Sequence, residues 1–286
     1  MDLALNDRIR AFYDRSSSLW ENVWGEHMHH GYYPPAGSPR TPREAQADLI
    51  DALLGFGGVT RASRILDVGC GIGGSSLVLA ERFNAQVTGI TLSPVQAARA
   101  RARAEARGYG TSGPDARATF RVEDALHMPF AEGAFDLVWS LESAEHIPDK
   151  RALLAQCRRV LAPGGTLLLA TWCRRSTEGE RGELGGSDRR LLEKICNAYA
   201  LPPFVSPEVF ESSARALGFR DIRTDDWSDA VSPFWSDVIL SALRPGSLVG
   251  LVAAGWSTVQ AAWAMRWMRE GFRRGLLRYA LLRATR

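Results

Sequence analysis

A run of glycines at residues 69–74 has the composition and position of a ligand-binding turn. It directly follows the apolar residues 65–68, whose pattern predicts a strand, and it precedes a helical stretch. Glycine is needed where the backbone turns tightly and a ligand presses against it, because any Cβ there would collide. Gly69, Gly71 and Gly74 also satisfy the G-x-G-x-x-G pattern, so the spacing indicates a nucleotide-like ligand.

Three interpretations of this turn are open. A dinucleotide site expects an acidic side chain roughly 20 residues later to hold the ribose, but Thr91 occupies that place. Asp67, two residues before the first glycine, instead resembles the usual mark of the S-adenosylmethionine loop in Rossmann-like methyltransferases. A tight turn without any ligand is the third interpretation. The residues favour the S-adenosylmethionine loop.

Polar residues after the second and third predicted strands are placed to hold a nucleoside. Thr91 ends the second strand and Gln96 lies in the first turn of the next helix, where both can bond ribose oxygens. Asp124 and Ala125 end the third strand, where a carboxylate can accept from the adenine amino group. Gln96 could instead be a solvated helix residue, and Asp124 a helix N-cap.

Acidic and imidazole side chains follow the fourth predicted strand. In open α/β sheets ligands bind beyond the carboxyl ends of the strands, so we expect Glu142, Glu145 and His146 beside the acceptor. A histidine with a neighbouring carboxylate can act as a general base near neutral pH. The alternative is that Glu145 and His146 cap a short helix or bond the backbone.

A second imidazole cluster lies near the N-terminus, where His27, His29 and His30 are followed by Tyr32 and Tyr33. No supporting Asp or Cys accompanies them, so a metal site is disfavoured and no metal is predicted. We expect the cluster to pack on the methionine end of the cofactor or to form a wall of the acceptor pocket.

The elements that must position these groups alternate short apolar runs with helical stretches from residue 64 to about 171, as in parallel βαβ units. Ser93 and Pro94 start one helix, and Pro163-Gly164-Gly165 predicts a turn after another. An open doubly wound sheet is favoured. Its strands are predicted at residues 65–68, 87–90, 119–122, 135–139 and 167–170, with a final strand near 276–285.

Composition excludes several classes of protein. The 286 residues are 45% hydrophobic and 23% charged, which rules out a disordered, collagenous or coiled-coil chain. A net charge of +3 is too mild to argue for nucleic acid, and no nucleic-acid partner is expected. Four distant cysteines without a C-x-x-C pair fit a reducing compartment. With no recognisable signal peptide, transit peptide or apolar run of 18 residues, we expect a cytoplasmic protein.

Further motifs make the chain resemble the γ-tocopherol methyltransferase group of class I S-adenosylmethionine-dependent methyltransferases, which includes tocopherol enzymes and alkaloid N-methyltransferases. The most specific motif is Trp-Gly-Glu-His-Met-His-His at residues 24–30. The resemblance spans nearly the whole chain. Its other carriers are residues 19–21, 67–76, 89–96, 142–150, 171–173, 194–196, 226–228, 233–235 and 270–272.

The resemblance implies an α/β, Rossmann-like, seven-stranded doubly wound sheet with N-terminal helices and a helical lid over the acceptor site. It implies S-adenosylmethionine as the cofactor, with Tyr13 and His29 near its methionine end. Candidate catalytic residues are His30, Glu142, Glu145 and His146. The candidate cofactor-binding residues are Tyr13, His29, Asp67, Gly69, Gly71, Gly73, Thr91, Leu92, Gln96, Asp124, Ala125 and Leu141.

The predicted reaction is methyl transfer to an apolar small molecule, either a tocopherol-like phenol or a prenylated or indole-type compound. Such a displacement needs no metal, and the protein aligns the reactants. A phenol would benefit from a base such as His146, whereas an alkene or indole carbon would build positive charge that Glu142 and Glu145 could stabilise. Residues 201–204 differ from those of tocopherol enzymes, which leaves the acceptor open. A cyclase or binding protein that holds the cofactor without methyl transfer is the alternative.

The predicted division is an N-terminal helical cap over residues 1–60 and a methyltransferase domain over residues 61–286. The lid is predicted near 173–215 and an amphipathic segment near 237–275. In that segment a stripe of Val259, Trp263 and Trp267 lies beside a stripe of arginines. The segment either packs internally or meets an anionic membrane surface. Association of identical chains is left open.

Overall fold

A seven-stranded sheet forms the centre of the computed structural model, which describes residues 5–14, 25–34, 40–110, 112–113, 116–178, 182–242 and 256–286. The strand order is β3-β2-β1-β4-β5-β7-β6, with β7 antiparallel to both of its neighbours and the other paired strands parallel. The strands are β1 Arg64–Val68, β2 Gln86–Thr91, β3 Ala118–Val122, β4 Phe135–Leu141, β5 Leu161–Arg174, β6 Arg220–Asp226 and β7 Leu277–Thr285.

Helices connect the strands in the described part of the chain. A short 3₁₀ turn, Ala144–His146, follows β4. The helices are α1 over residues 5–14, α2 Pro42–Gly57, α3 Gly74–Phe83, α4 Pro94–Ala106, α5 Lys150–Val160, α6 Gly186–Ala198, α7 Pro207–Ala216, α8 Ser228–Val231, α9 Pro233–Ala242 and α10 Trp256–Arg273. None of the helices in these ranges is long and apolar enough to cross a membrane.

The sheet is covered on both faces, as its apolar strands require. Neighbouring residues of a strand point to opposite faces, so Leu168 joins one buried cluster and Leu169 the other. Leu53 of α2 belongs to the first cluster and Leu153 of α5 to the second. The predicted doubly wound architecture is therefore confirmed.

Two local features differ from the sequence expectation. β6 was not predicted, because its sequence Arg-Asp-Ile-Arg-Thr-Asp-Asp is charged and mostly exposed; it lies at the sheet edge, where charges suit solvent. The turn predicted at Pro163-Gly164-Gly165 lies inside β5 instead. The strand begins at Leu161, directly after α5, and its pairing with β4 shifts register near Phe135.

The carboxyl ends of β1, β2 and β4 meet at one edge of the sheet, where the candidate site residues lie. A strap, defined as residues 25–34, is bound to the side of α2: the backbone N–H of Tyr32 donates to Ala45 O at 2.8 Å. Residues 19–21 and 24 of the resemblance motifs, and residues 243–255 of the predicted amphipathic segment, lie outside the described residues. The division into a cap and a main domain stays a prediction.

Candidate active site

The glycine loop needs glycine for reasons that the structure makes specific. Gly69 has φ +79°, and a Cβ added there would lie 2.1 Å from the Cβ of Ser143. Ser143 is fixed under the loop because its hydroxyl donates to Val68 O at 2.6 Å. Gly71, with φ +53°, is open apart from the sulfur of Met28 at 3.8 Å. The loop therefore presents bare backbone at Gly71 to the space in front of it.

That space is an open cavity of about 1100 Å³, here called the loop cavity. Eleven of the twelve candidate cofactor residues line it; Gly73 does not, because it caps α3 and faces Phe120 and Ala100. The eleven are Tyr13, His29, Asp67, Gly69, Gly71, Thr91, Leu92, Gln96, Asp124, Ala125 and Leu141.

Asp67 is a buried carboxyl that lines the loop cavity, with 2% of the residue exposed. It accepts a hydrogen bond from the Ser76 hydroxyl at 2.6 Å. Burial raises the pKa of Asp67 to about 7, since this one hydrogen bond only partly offsets the loss of hydration.

The predicted ribose and adenine residues are brought to the same cavity, but they also bond to one another or to backbone. The Thr91 hydroxyl donates to Gln96 Oε1 at 2.7 Å, which orients that amide. Asp124 Oδ1 accepts from the backbone N–H of Leu126 at 2.8 Å, so it caps a turn rather than a helix. Its other oxygen lies 3.3 Å from the amide nitrogen of Asn6 in α1.

The strap crosses the glycine loop and is held by Gln46, a residue that sequence analysis missed. The side-chain nitrogen of Gln46 donates to His27 O at 3.0 Å and to His29 O at 2.8 Å, and Gln46 is fully buried. The sequence alone could have identified this residue, because Gln46 falls on the same helical stripe as Leu49 and Leu53, which faces the core. A buried glutamine on such a stripe must find polar partners.

A second, smaller cavity, here called the aromatic cavity, adjoins the first. Four residues line both cavities, so the two meet where these side chains lie: Tyr13, Met28, His29 and Glu142. The wall of the aromatic cavity is made by the rings of Phe12, Trp172, Tyr199, Phe234 and Trp235.

Glu142 is the most heavily bonded side chain of the site. It follows β4 in the left-handed region at φ +54°, and its side chain is 4% exposed. Its oxygens accept from the backbone N–H and Nδ1 of His30, both at 2.8 Å, from Trp172 Nε1 at 3.2 Å and from the Tyr279 hydroxyl at 2.8 Å. Burial alone would raise the pKa of Glu142, but its pairing with the ring and the backbone N–H of His30 holds it below its usual value.

His30 is thereby oriented by a carboxylate. With Nδ1 donating to Glu142, the neutral ring has its lone pair on Nε2, and that atom is buried without a partner among the described residues. His29 has the same form: its Nδ1 donates to His30 O at 2.8 Å, and its Nε2 has no partner in the described part of the chain. Burial lowers the pKa of His29, which keeps it neutral.

Glu145 and His146 lie within the 3₁₀ turn, whose N-cap is Ser143. Glu145 caps no helix; it accepts from the Thr171 hydroxyl of β5 at 2.7 Å. Burial, together with the charge of Glu142, raises the pKa of Glu145 to about 8, so it is mostly protonated at neutral pH. His146 Nε2 lies 2.8 Å from the Tyr13 hydroxyl, and burial lowers the pKa of His146 to about 3.

The structure thus places the four candidate catalytic residues in two different cavities. His30 and Glu145 line the aromatic cavity, Glu142 lines both cavities, and His146 lines the loop cavity. Among the residues that the structure describes, no group of three or more His, Cys, Asp or Glu side chains is placed to hold a metal ion.

Comparisons with known proteins agree with this architecture. A family model described as a methyltransferase domain matches residues 66–169. The chain is 44% identical over 285 residues to a probable chloroplastic tocopherol O-methyltransferase of Oryza sativa subsp. japonica, covering 97% of this chain and 77% of the relative. It is 41% identical over 289 residues to the chloroplastic tocopherol O-methyltransferase of Arabidopsis thaliana, covering 98% of this chain and 82% of the relative.

Among solved structures, the [4+2]-cyclase SpnF matches with a TM-score of 0.77 and 26% identity, covering 97% of this chain and 94% of the cyclase. The structural match therefore extends beyond the residues that match the family model.

Replacing Gly69 by Ala should weaken binding of S-adenosylmethionine at least tenfold in calorimetry, because the new methyl group would displace Ser143 or the loop itself. Gly108→Ala is the matched control: its φ is +71°, but nothing lies within 4 Å of the added Cβ. The control should cost about 1 kcal/mol of stability from backbone strain and leave affinity unchanged. Equal affinity losses in the two variants would contradict this role of the loop.

Replacing Glu145 by Gln should flatten the pH dependence of stability. Because the folded-state pKa of about 8 lies above the ordinary value of 4.5, the contribution of Glu145 to the free energy of unfolding is complete below about pH 4.5. It is lost as pH rises to about 8. In denaturant unfolding from pH 5 to 8, the wild type should therefore lose stability relative to the Gln variant, whose carbonyl can still accept from Thr171. If stability falls equally with pH in the wild type and the Gln variant, the raised pKa assigned to Glu145 is contradicted.

Proposed function

The chain belongs to the class I S-adenosylmethionine-dependent small-molecule methyltransferases, in the group of the tocopherol methyltransferases, and on this premise we propose that its acceptor is an apolar phenol. The observation that carries the proposal is His30 Nε2 in the aromatic cavity, which has no partner among the described residues and whose ring is bonded to the carboxylate of Glu142. The names of both plant relatives, which specify tocopherol, point to the same class of acceptor.

We propose that the cofactor residues form the binding site for S-adenosylmethionine. The loop at Gly71 and the polar groups of Thr91, Gln96 and Asp124 would hold the nucleoside, and Met28 lies where the loop cavity meets the aromatic cavity. When bound, S-adenosylmethionine supplies an electrophilic methyl group on its sulfonium. The side chains shared by the two cavities then separate this group from bulk water.

His30 is proposed as the general base. A phenol has a reference pKa of about 10, so it needs a base before it becomes a good nucleophile at neutral pH. The phenol proton goes to His30 Nε2, and the resulting imidazolium is stabilised by Glu142 through Nδ1. The phenolate shares its charge between its oxygen and the ring carbons ortho and para to it, so the same base serves methylation at either atom.

The electrostatics of the site support a phenol over an acceptor that builds positive charge. Both oxygens of Glu142 are taken by hydrogen bonds, and Glu145 is mostly neutral at pH 7. Neither carboxyl is therefore a free anion facing the aromatic cavity. A cyclase without methyl transfer, suggested by the likeness to SpnF, is distinguished by the formation of S-adenosylhomocysteine.

His30→Gln should lower kcat for γ-tocopherol by about 10²-fold or more, which is the usual effect of losing a general base. Affinity for S-adenosylmethionine, measured by calorimetry, should not change. His146→Gln is the comparison, since its ring lies in the loop cavity and is bonded to Tyr13; we expect a smaller loss of kcat and weaker cofactor binding.

Mass spectrometry of the product with isotopically labelled cofactor tests the function itself. Absence of a labelled phenol would disprove the proposed acceptor class. A larger loss of kcat in His146→Gln than in His30→Gln would return the role of base to His146.

Contact with an anionic membrane is proposed for the outer face of α10. Its inner face packs into the core, where Met268 is fully buried and Trp267 is partly buried, so the internal-packing alternative holds for that face. Trp263 is 51% exposed, with the Arg266 guanidinium stacked 3.3 Å from its ring centroid. Arg269 is also exposed on this helix. Tryptophan and arginine on one exposed face suit a membrane interface where an apolar substrate resides.

Co-sedimentation with vesicles of phosphatidylcholine, with and without phosphatidylserine, tests this contact. We expect binding only to the anionic vesicles, a loss of that binding at high salt, and a several-fold reduction in Trp263→Ser. The exposed Val122→Ser, on β3, serves as the control. No binding to the anionic vesicles at low salt would rule the contact out.

A further inference from the structure

Tyr199 carries a buried hydroxyl whose hydrogen bonds the protein does not supply. The residue follows α6 directly, is 5% exposed and lines the aromatic cavity. Its oxygen has no hydrogen-bond partner among the described residues. A buried hydroxyl without a partner is unfavourable, and native proteins generally avoid it unless a ligand or water fills the position.

The neighbours of Tyr199 hold its ring but leave its oxygen unsatisfied. Trp172 meets the ring edge-on at 5.8 Å and 88°, and Trp235 does so at 6.3 Å and 66°. The indole N–H of Trp172 is already donated to Glu142. Burial raises the pKa of Tyr199, so its hydroxyl stays protonated and can both donate and accept.

The same two indoles also hold His30, whose ring lies 5.4 Å from Trp172 and 4.9 Å from Trp235. On the aromatic cavity, His29 Nε2, His30 Nε2 and the Tyr199 hydroxyl are buried polar atoms without a partner among the described residues. His29 also lines the loop cavity, whereas His30 Nε2 and the Tyr199 hydroxyl belong to the aromatic cavity alone. A ligand with a single polar atom could satisfy only one of them. A ligand with two polar atoms on its ring system satisfies both.

We propose that Tyr199 is a specificity-determining residue that binds a second oxygen of the acceptor ring, opposite the phenol hydroxyl that His30 deprotonates. This inference rests on the proposed function. It selects ring systems with two oxygens, such as hydroquinones and chromanols, over phenols with one, since a monophenol would leave the buried Tyr199 hydroxyl unsatisfied.

The test compares 2,3-dimethylhydroquinone, kept anaerobic, with 2,3-dimethylphenol. Binding is followed by quenching of tryptophan fluorescence at saturating S-adenosylhomocysteine, because Trp172 and Trp235 line the cavity. The wild type should bind the hydroquinone about tenfold more tightly, as expected for one additional buried hydrogen bond. Tyr199→Phe should bind both probes with the affinity that the wild type has for the monophenol.

Tyr32→Phe is the matched control, because this tyrosine packs on Trp227 and lines neither cavity. It should keep the tenfold preference. Thermal unfolding without ligand separates a structural role from recognition: Tyr199→Phe should be at least as stable as the wild type, since it loses an unsatisfied hydroxyl.

A wild type that binds both probes equally, or a Tyr199→Phe variant that keeps the preference, would overturn the inference and leave the proposed function standing. A wild type that binds neither probe would overturn the proposed function, and the inference with it.

Discussion

The site depends on burying one charged carboxylate, that of Glu142. Removing a carboxylate from water costs several kcal/mol unless hydrogen bonds replace its hydration. Here four donors do so, and they come from the strap, from β5 and from β7. The residue also adopts φ +54°, a conformation that costs about 1–2 kcal/mol for a residue with a side chain. Both costs are met only when the strap and the sheet are in place together.

The burial of Glu142 also separates the roles of two carboxyls that lie close in sequence. Glu142 is held ionised by its donors, and its charge helps to raise the pKa of Glu145 to about 8. Two neighbouring carboxyls with pKa values pushed in opposite directions leave one anion and one neutral acid at pH 7. The anion is bonded to His30, so an imidazole lines the aromatic cavity without a free negative charge beside it.

The sequence predicted the sheet and the loop cavity because both follow from local rules. A glycine at 69 is required by backbone geometry, and apolar runs at the spacing of βαβ units admit few other folds. The aromatic cavity was not predictable in this way. Tyr199 reaches it from α6 and Trp235 from α9, and no local pattern reports which distant rings will enclose a common space. His146 was favoured as the base because it is adjacent to Glu145 in sequence, whereas the carboxylate that orients a cavity-facing imidazole is 112 residues from it.

The strap contributes residues to both cavities. Met28 and His29 contribute to both cavities and His30 to the aromatic cavity, and all three lie on the segment that Gln46 and Glu142 hold. Because His30 is bonded to Glu142 through its backbone as well as its ring, the position of the proposed base is fixed together with the strap. The same segment therefore places residues in both cavities, and on the proposed mechanism it sets the proton acceptor beside the methyl donor.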